Sequence, residues 1–292
     1  MSSCDSPRSS ASSRGAVSGQ AMKVLSQEID SDAARYRIQA GEQVRYVMIS
    51  GDPQLLFDEE TLCRPDLLIP QLPPFPEGNW AQMQLEKRPD GTLKPTFSSE
   101  PLMGVESWCT QNIEVTTLRP ISSHKHRVHE VEFNGKHAIA KIAPFEWWNP
   151  MADRETLTYE IIMKEYPANA PPITPKFLAQ LTEQGRTMGF LLEKIVGRSA
   201  RPEDLPACEI ALRELHSLGL IHGDVNRHNF IIDETGRARI IDFEHSSLLT
   251  PEKEADELGE LRAMFSLDPR LGSAVIVVDG IEREAGPTPY RI

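Results

Sequence analysis

The stretch from 222 to 244, HGDVNRHNFIIDETGRARIIDFE, constrains this chain more than any other. Two short apolar segments, NFIID and RARIID, straddle ETG and read as a tight hairpin. A hairpin returns the chain antiparallel, which carries Asp242 back to the end where Asn229 begins it. Asp224 and Asn229 stand five positions apart in the preceding loop, separated by at most ~3.3–3.6 Å of extended chain per residue. Two carboxylates and a carboxamide can therefore face one centre. A single Asp in such a place is commonly a turn residue capping backbone groups, an account that strains when applied to the whole set.

Phosphoryl transfer needs a carboxylate to orient the acceptor hydroxyl and oxygen ligands to hold magnesium across nucleotide phosphates. The loop and hairpin supply a base, a neutral ligand and an anionic ligand. HGDVNRHN resembles the catalytic loop of the protein-kinase-like superfamily, in its aminoglycoside phosphotransferase and choline kinase branch, where HGD or HND replaces HRD. IDFE resembles the magnesium motif of that branch, where Glu can replace the Gly of DFG. The resemblance implies ATP as donor, Asp224 as catalytic base, and Asn229 and Asp242 as Mg2+ ligands. A lone HxD is weak; HxDxxxxN, the hairpin and IDFE in order are specific.

The same resemblance implies a strand lysine, and AIAK supplies Lys141. Alternation puts Ile139 and Lys141 on one face, so that the ammonium would reach the α and β phosphates. The family often has a small residue at Ile139, which would border adenine. Taken alone, Lys141 also reads as an ordinary strand lysine reaching solvent. MADRETLTYEIIMKEY reads as a helix that must stop before Pro167. Glu155, Tyr159 and Ile162 share a stripe on it, and Glu155 matches the helix glutamate that pairs with the strand lysine. Its competitor, Glu160, has Lys164 four residues on and reads as a surface pair. TMGFLLEKI reads as a buried strand, and LLEKIVG resembles the hinge between kinase lobes. That match puts Leu192 at the gatekeeper position, the Glu193 carbonyl on the adenine amino group and the Ile195 amide on the ring. The letters fit a plain buried strand with a charged end equally well.

A glycine-rich loop is absent: RPISSHKHRV joins the first two strands, IEVTTLRPI and RVHEVEF, which are expected around SSHK. Ser122, Ser123, His124 and Lys125 can supply donors and charge to phosphates in its place, and Ser123 is assigned to nucleotide binding. The alternatives are a solvated loop and a metal site on His124, His126 and His129, whose spacing follows strand alternation only partly. After IDFE only 245–292 remain, with PEKEADELGELRAMF as one amphipathic helix. An APE motif and further helices are missing, so the lower lobe is minimal, similar in size to RIO-type kinases.

Residues 1–21 are Ser-rich and poor in apolar groups, as a disordered tail is. ARYRIQ and QVRYVMIS around AGE, and QMQLEK and TLKPTF around PDG, read as strand pairs, with the proline-rich LIPQLPPFPEGNW between them extended and exposed. Asp204 is positioned to cap a helix bearing Cys208, Ala211, Leu212, Leu215 and Leu218 on one face, ended by Gly219. The fold class expected is thus α+β: a β-rich accessory region over 22–108, then a two-lobed kinase-like domain over 109–292. Its antiparallel upper lobe with one helix would span about 109–192, the hinge 193–197 and the small helical lower lobe 198–292. A net charge of −12 argues against nucleic-acid partners. No stretch approaches the ~20 apolar residues of a membrane span, and the four Cys show no paired spacing; a cytoplasmic protein is expected. The function expected is ATP- and Mg2+-dependent phosphorylation of a small-molecule hydroxyl, with an atypical Ser/Thr protein kinase acting on a protein hydroxyl, or a pseudokinase scaffold, as rivals. A glycosidase, which also uses two carboxylates, would leave Lys141 and Asn229 idle.

Overall fold

Alternating apolar residues near the N-terminus form the first sheet. A computed structural model describes residues 21–266, 275–278 and 281–284, so the expected Ser-rich tail lies outside the described residues save for Ala21. The chain divides into two units between Pro101 and Leu102. In the first, β1 (Met22–Ile29), β2 (Ala33–Ala40), β3 (Gln43–Ser50), β4 (Gln82–Lys87) and β5 (Leu93–Ser98) lie side by side in that order. The strand β1 escapes the sequence reading because SQE interrupts its alternation, and its register with β2 slips between Val24 and Ser26. Neighbours are antiparallel except β3 and β4, which run parallel and therefore need a crossover. That crossover carries two short helices, α1 (Glu59–Cys63) and α2 (Pro65–Leu68).

The proline-rich stretch departs from its expected exposure. Leu68, Leu72 and Trp80 are buried, together with Phe57 and Leu62, against Tyr36, Ile38, Val47, Ile49, Met83 and Leu85 of the sheet. Prolines remove backbone donors, but the apolar side chains between them still gain by leaving water.

The second unit begins at Leu102 rather than at 109. Its first residues are tied in by the Val105 amide on the Thr187 carbonyl (2.8 Å) and the Trp108 indole on the Thr156 carbonyl (3.0 Å). Six strands follow, with one helix among them: β6 (Asn112–Glu114), β7 (Arg119–Lys125), β8 (Val128–Phe133), β9 (Lys136–Ile142), α3 (Asn149–Glu165), β10 (Phe177–Glu183) and β11 (Arg186–Glu193). They form one sheet in the order β6-β10-β11-β9-β8-β7, antiparallel except for β6 beside β10. IEVTTLRPI is not one strand, because its two halves serve opposite edges. A 3-10 turn at Val115–Thr117 breaks it, and Val115 and Leu118 are buried as the chain crosses the sheet. SSHK, expected as a turn, continues β7, and the turn falls at His126 and Arg127. The strand β10 is hidden in the sequence by Gln180, which sits fully buried where an apolar residue would mark the pattern.

The remainder is β12 (Gly197–Ser199), α4 (Leu205–Ser217), β13 (Leu220–Ile221), β14 (Phe230–Asp233), β15 (Ala238–Ile240), β16 (Ser247–Leu248) and α5 (Pro251–Ser266), followed by the pair β17 (Val275–Val278) and β18 (Ile281–Glu284). Asp204 does not cap α4 with its side chain; the carboxylate turns back to the Arg201 amide (2.8 Å) and to Arg198. Cys208, Ala211, Leu212 and Leu215 are buried as the helical spacing requires. One apolar cluster runs from Tyr159, Phe177 and Phe190 through Leu212, Phe230 and Phe243 to Leu261 and Phe265, so sheet, hairpin and helices share a core. The result is a mixed α+β architecture. Among the described residues no helix is long and apolar enough to cross a membrane.

Candidate active site

Strand alternation turns Lys141 of β9 toward α3, and the helical stripe turns Glu155 toward β9. Their side chains meet at 2.5 Å, with Lys141 8% and Glu155 1% exposed. The Lys141 ammonium also contacts Asp242 at 2.9 Å and Glu244 at 3.4 Å. Oxygens of Glu155, Asp242 and Glu244 lie within 4.8 Å of one another, a spacing that suits a cation, and the cation among them is the Lys141 ammonium. Burial opposes the charged form at both ends of the Lys141–Glu155 pair. At Lys141 the three carboxylates outweigh it and hold the ammonium above its ordinary value. At Glu155 burial outweighs Lys141, helped by the like charges of Asp242 and Glu244, and the carboxyl is pushed up to about 7. Glu160 pairs with Lys164 at the surface, as its spacing predicts.

Asp242 adopts a left-handed backbone, φ 69°, a conformation that Asp tolerates better than most residues. Burial would raise its carboxyl, but Lys141 and then Lys125, 3.5 Å away, hold it at about 2. The hairpin brings Asn229 to the same end: the Ile241 amide donates to the Asn229 carbonyl at 3.0 Å. The Asn229 carboxamide donates from Nδ2 to the Asp224 carbonyl (2.8 Å) and carboxylate (3.0 Å), which directs its Oδ1 the other way. The four residues expected to converge thus lie in one chain of contacts: Asp224 to Asn229 by side chain, Asn229 through the hairpin to Asp242, and Asp242 to Lys141.

The loop beneath them is built on His222, Gly223 and Glu257. His222 is fully buried; its Nδ1 accepts from the Asp224 amide (3.2 Å), so its Nε2 carries the proton donated to the Ile241 carbonyl (3.0 Å). Gly223 has φ 80°, and a Cβ there would meet the His245 carbonyl at 2.2 Å, so no other residue fits. The Glu257 carboxylate accepts from the amides of Gly223 (2.6 Å) and His222 (3.2 Å) and bonds His216 at 2.7 Å. Burial alone would raise Glu257; those bonds hold it below the ordinary carboxylate range. Sequence reading missed it, although Glu257, Leu261 and Phe265 follow one another at i, i+4 and i+8, an acid set into an apolar stripe.

Burial lowers the proton affinity of His222, so below the ordinary value of ~6.5 the unfolded chain binds a proton that the folded chain refuses. Its contribution is complete above that pH and is lost as pH falls toward the folded value. Between pH 7.5 and 5, urea unfolding is expected to give slopes of stability against pH that differ by up to one proton, wild type faring worse on acidification than His222→Asn, while Glu155, whose raised carboxyl acts in the opposite direction, is common to both. Identical slopes for the two proteins would refute this.

Beside Lys141 lies a cavity of about 300 Å3. Val128 and Ile139, Leu192 to Ile195, and Ile231 and Ile241 line it, with Lys125, Lys141 and Asp242 at its polar end. The expected nucleotide residues Ile139, Lys141, Leu192, Glu193 and Ile195 therefore border one space. Ser123 does not line it: its hydroxyl is buried on the Lys125 carbonyl and His129 Nδ1, both at 3.1 Å, because strand alternation turns it inward. Its neighbours His124 and Lys125 line the cavity in its place. A carboxylate also stands among the histidines: Glu130 contacts His137 (2.5 Å), Lys194 (2.7 Å) and His124 (3.4 Å). It directly follows His129 in sequence, and the pairing of β7 with β8 sets it opposite Ser122, within reach of His124. Where kinases have a glycine-rich turn, Arg127 stacks 4.0 Å from the Trp148 ring and pairs with Glu244 at 2.7 Å.

No curated protein matches the chain. Residues 193–268 match the model of the lipopolysaccharide kinase (Kdo/WaaP) family, a family of the protein-kinase-like superfamily. The match covers roughly a quarter of the chain and does not single out the aminoglycoside phosphotransferase and choline kinase branch. It runs from Glu193 through α4, the loop with Asp224 and Asn229, the hairpin and Asp242 into α5, and over those residues the chain is similar to a family of kinases.

Proposed function

We propose that this chain transfers the γ-phosphoryl group of ATP, with magnesium, to a hydroxyl of a small-molecule acceptor. The observation that carries the reading is Lys141, held between Glu155 and Asp242 at the polar end of an apolar cavity. In this reading the six-stranded sheet with α3 is an upper lobe, residues 193–197 are the hinge, and the rest is a lower lobe. The cavity between Ile139, Leu192 and Ile241 takes adenine, with the backbone of Glu193 and Ile195 as its polar contacts. Lys141 meets the α and β phosphates, leaving Glu155 to keep it aimed. The hard oxygens of Asn229 and Asp242 suit magnesium, which would neutralise the phosphates. Asp224, exposed at the loop, orients the acceptor hydroxyl and takes its proton as the acceptor oxygen bonds phosphorus and the β–γ bridging oxygen leaves with ADP. The matched family is named for lipopolysaccharide, a non-protein acceptor. That, with the HGD and IDFE motifs of the aminoglycoside phosphotransferase branch, favours a small molecule over a protein Ser or Thr.

Thermal unfolding with a non-hydrolysable ATP analogue tests the nucleotide step. With magnesium at a hundredfold excess over Kd, stability is expected to rise by about 2.7 kcal/mol, and the rise is expected to vanish in Lys141→Met. An acceptor panel followed by 31P NMR then tests transfer. No shift with nucleotide at any magnesium concentration would sink the reading, and a shift without transfer to any acceptor would leave a scaffold.

A further inference from the structure

In the first unit, Tyr36, Ile38, Val47, Ile49, Met83 and Leu85 share the buried face of the sheet. Arg45 takes the next position on that face of β3, two residues before Val47 and opposite Ile38, and is only 5% exposed. The alternation calls for an apolar residue there. Burying a guanidinium without a counter-charge is costly, and burial pulls Arg45 below its usual value. Among the described residues no carboxylate meets it. It donates to Gln43 Oε1 and to the Gly78 carbonyl (2.9 Å) and lies over the Trp80 ring at 4.7 Å. Both hydrogen bonds use Nη2, leaving Nε and Nη1 for another acceptor.

Arg45 borders a cavity of about 440 Å3, within the range of small-ligand sites. Met22, Phe75, Pro76 and Trp80 supply apolar walls, and the exposed Glu77 also borders it. Phe75 and Phe97 each pack edge-on against Trp80 with centroids 5.0 Å apart, which fixes the indole in place. We propose that this cavity binds a small monocarboxylate with an apolar body, its carboxylate on Arg45 and its body against Phe75 and Trp80. With both Nη2 hydrogens engaged, a carboxylate would take one charge-assisted hydrogen bond from Nη1 or Nε and supply the counter-charge that the buried guanidinium lacks. Glu77 and a net charge of −12 oppose a dianion such as a phosphate monoester. The site lies wholly within the first unit and does not depend on the phosphotransferase reading.

Fluorine NMR on the full chain provides the test, with 4-fluorophenylacetate as first probe within a panel of aryl and alkyl monocarboxylates. Saturable binding is expected, at least tenfold weaker for 4-fluorophenylacetamide, which has the shape without the charge, and for Arg45→Met. Because Arg45→Met removes a buried group and its fold needs checking by circular dichroism, Met22→Trp serves as a second variant. It fills the cavity from the end of β1 with Arg45 intact and is also expected to weaken binding at least tenfold. The proposal is overturned by the absence of saturable binding across the panel, by equal affinity of acid and amide, by binding unchanged in folded Arg45→Met or in Met22→Trp, or by tighter binding of 4-fluorophenyl phosphate.

Discussion

Asp224→Asn is expected to slow phosphoryl transfer by about 10²- to 10⁴-fold, the usual contribution of a positioned general base, while leaving nucleotide binding and the melting temperature near those of the wild type. Asp224 is exposed, so little packing is lost, and the substituted carboxamide still offers an oxygen to Asn229 Nδ2, which the carboxylate accepts from at 3.0 Å. Asp242→Asn should behave differently. It removes one of three carboxylates around Lys141 and the charged partner of Lys125, so both turnover and magnesium-dependent nucleotide binding are expected to fall. Single-turnover kinetics with the acceptor identified by the panel, alongside nucleotide titration, separate the two. Turnover of Asp224→Asn within threefold of wild type would remove Asp224 from the role of base, whatever its neighbours do.

Glu257→Leu is expected to cost about 3–5 kcal/mol of stability, the scale for removing one partner of a buried charged network. With ~2–4 °C per kcal/mol for domains of about 150–250 residues, the melting temperature should fall by roughly 10 °C. The buried amide of His222 and the partly buried amide of Gly223 lose their acceptor together with His216. Nothing apolar can replace an acceptor at these amides, so the loop carrying Asp224 should loosen before the core does. Glu257→Gln keeps an oxygen for the Gly223 amide and should cost only about 1–2 kcal/mol. Circular dichroism melts of the three proteins decide the matter; a Leu variant within 1 kcal/mol of wild type would show that water or another group satisfies the loop.

Much of the second unit was legible because its signals are local. The hairpin is written in NFIID, ETG and RARIID, and α4 in the spacing of Cys208, Ala211, Leu212 and Leu215. The pairing of Lys141 with Glu155 was also legible, since strand alternation and a helical stripe each fix which way one side chain points. What failed had a common cause. IEVTTLRPI looked like one strand because alternation does not say which edge of a sheet a segment will join, and its two halves join opposite edges. β10 stayed unread because Gln180 breaks the apolar pattern, although its side chain donates to the Gly189 carbonyl inside the fold at 3.4 Å. Ser123 reads as a nucleotide ligand in the sequence because only the register of β7 on β8 fixes which side of the strand it faces.

The amino-acid sequence alone determined which chemical groups the molecule has to work with, and the order in which hairpin, loop and helices present them. That follows because turns, caps and periodicity act over a few residues and need no knowledge of the rest of the chain. Only the tertiary structure decided that Glu244 and Arg127 close the turn beside Lys141, that Glu257 anchors the loop from α5, and that Arg45 sits buried beside Trp80. Those contacts join segments far apart in sequence, and their energies depend on burial and distance, which exist only once the strands and helices have packed.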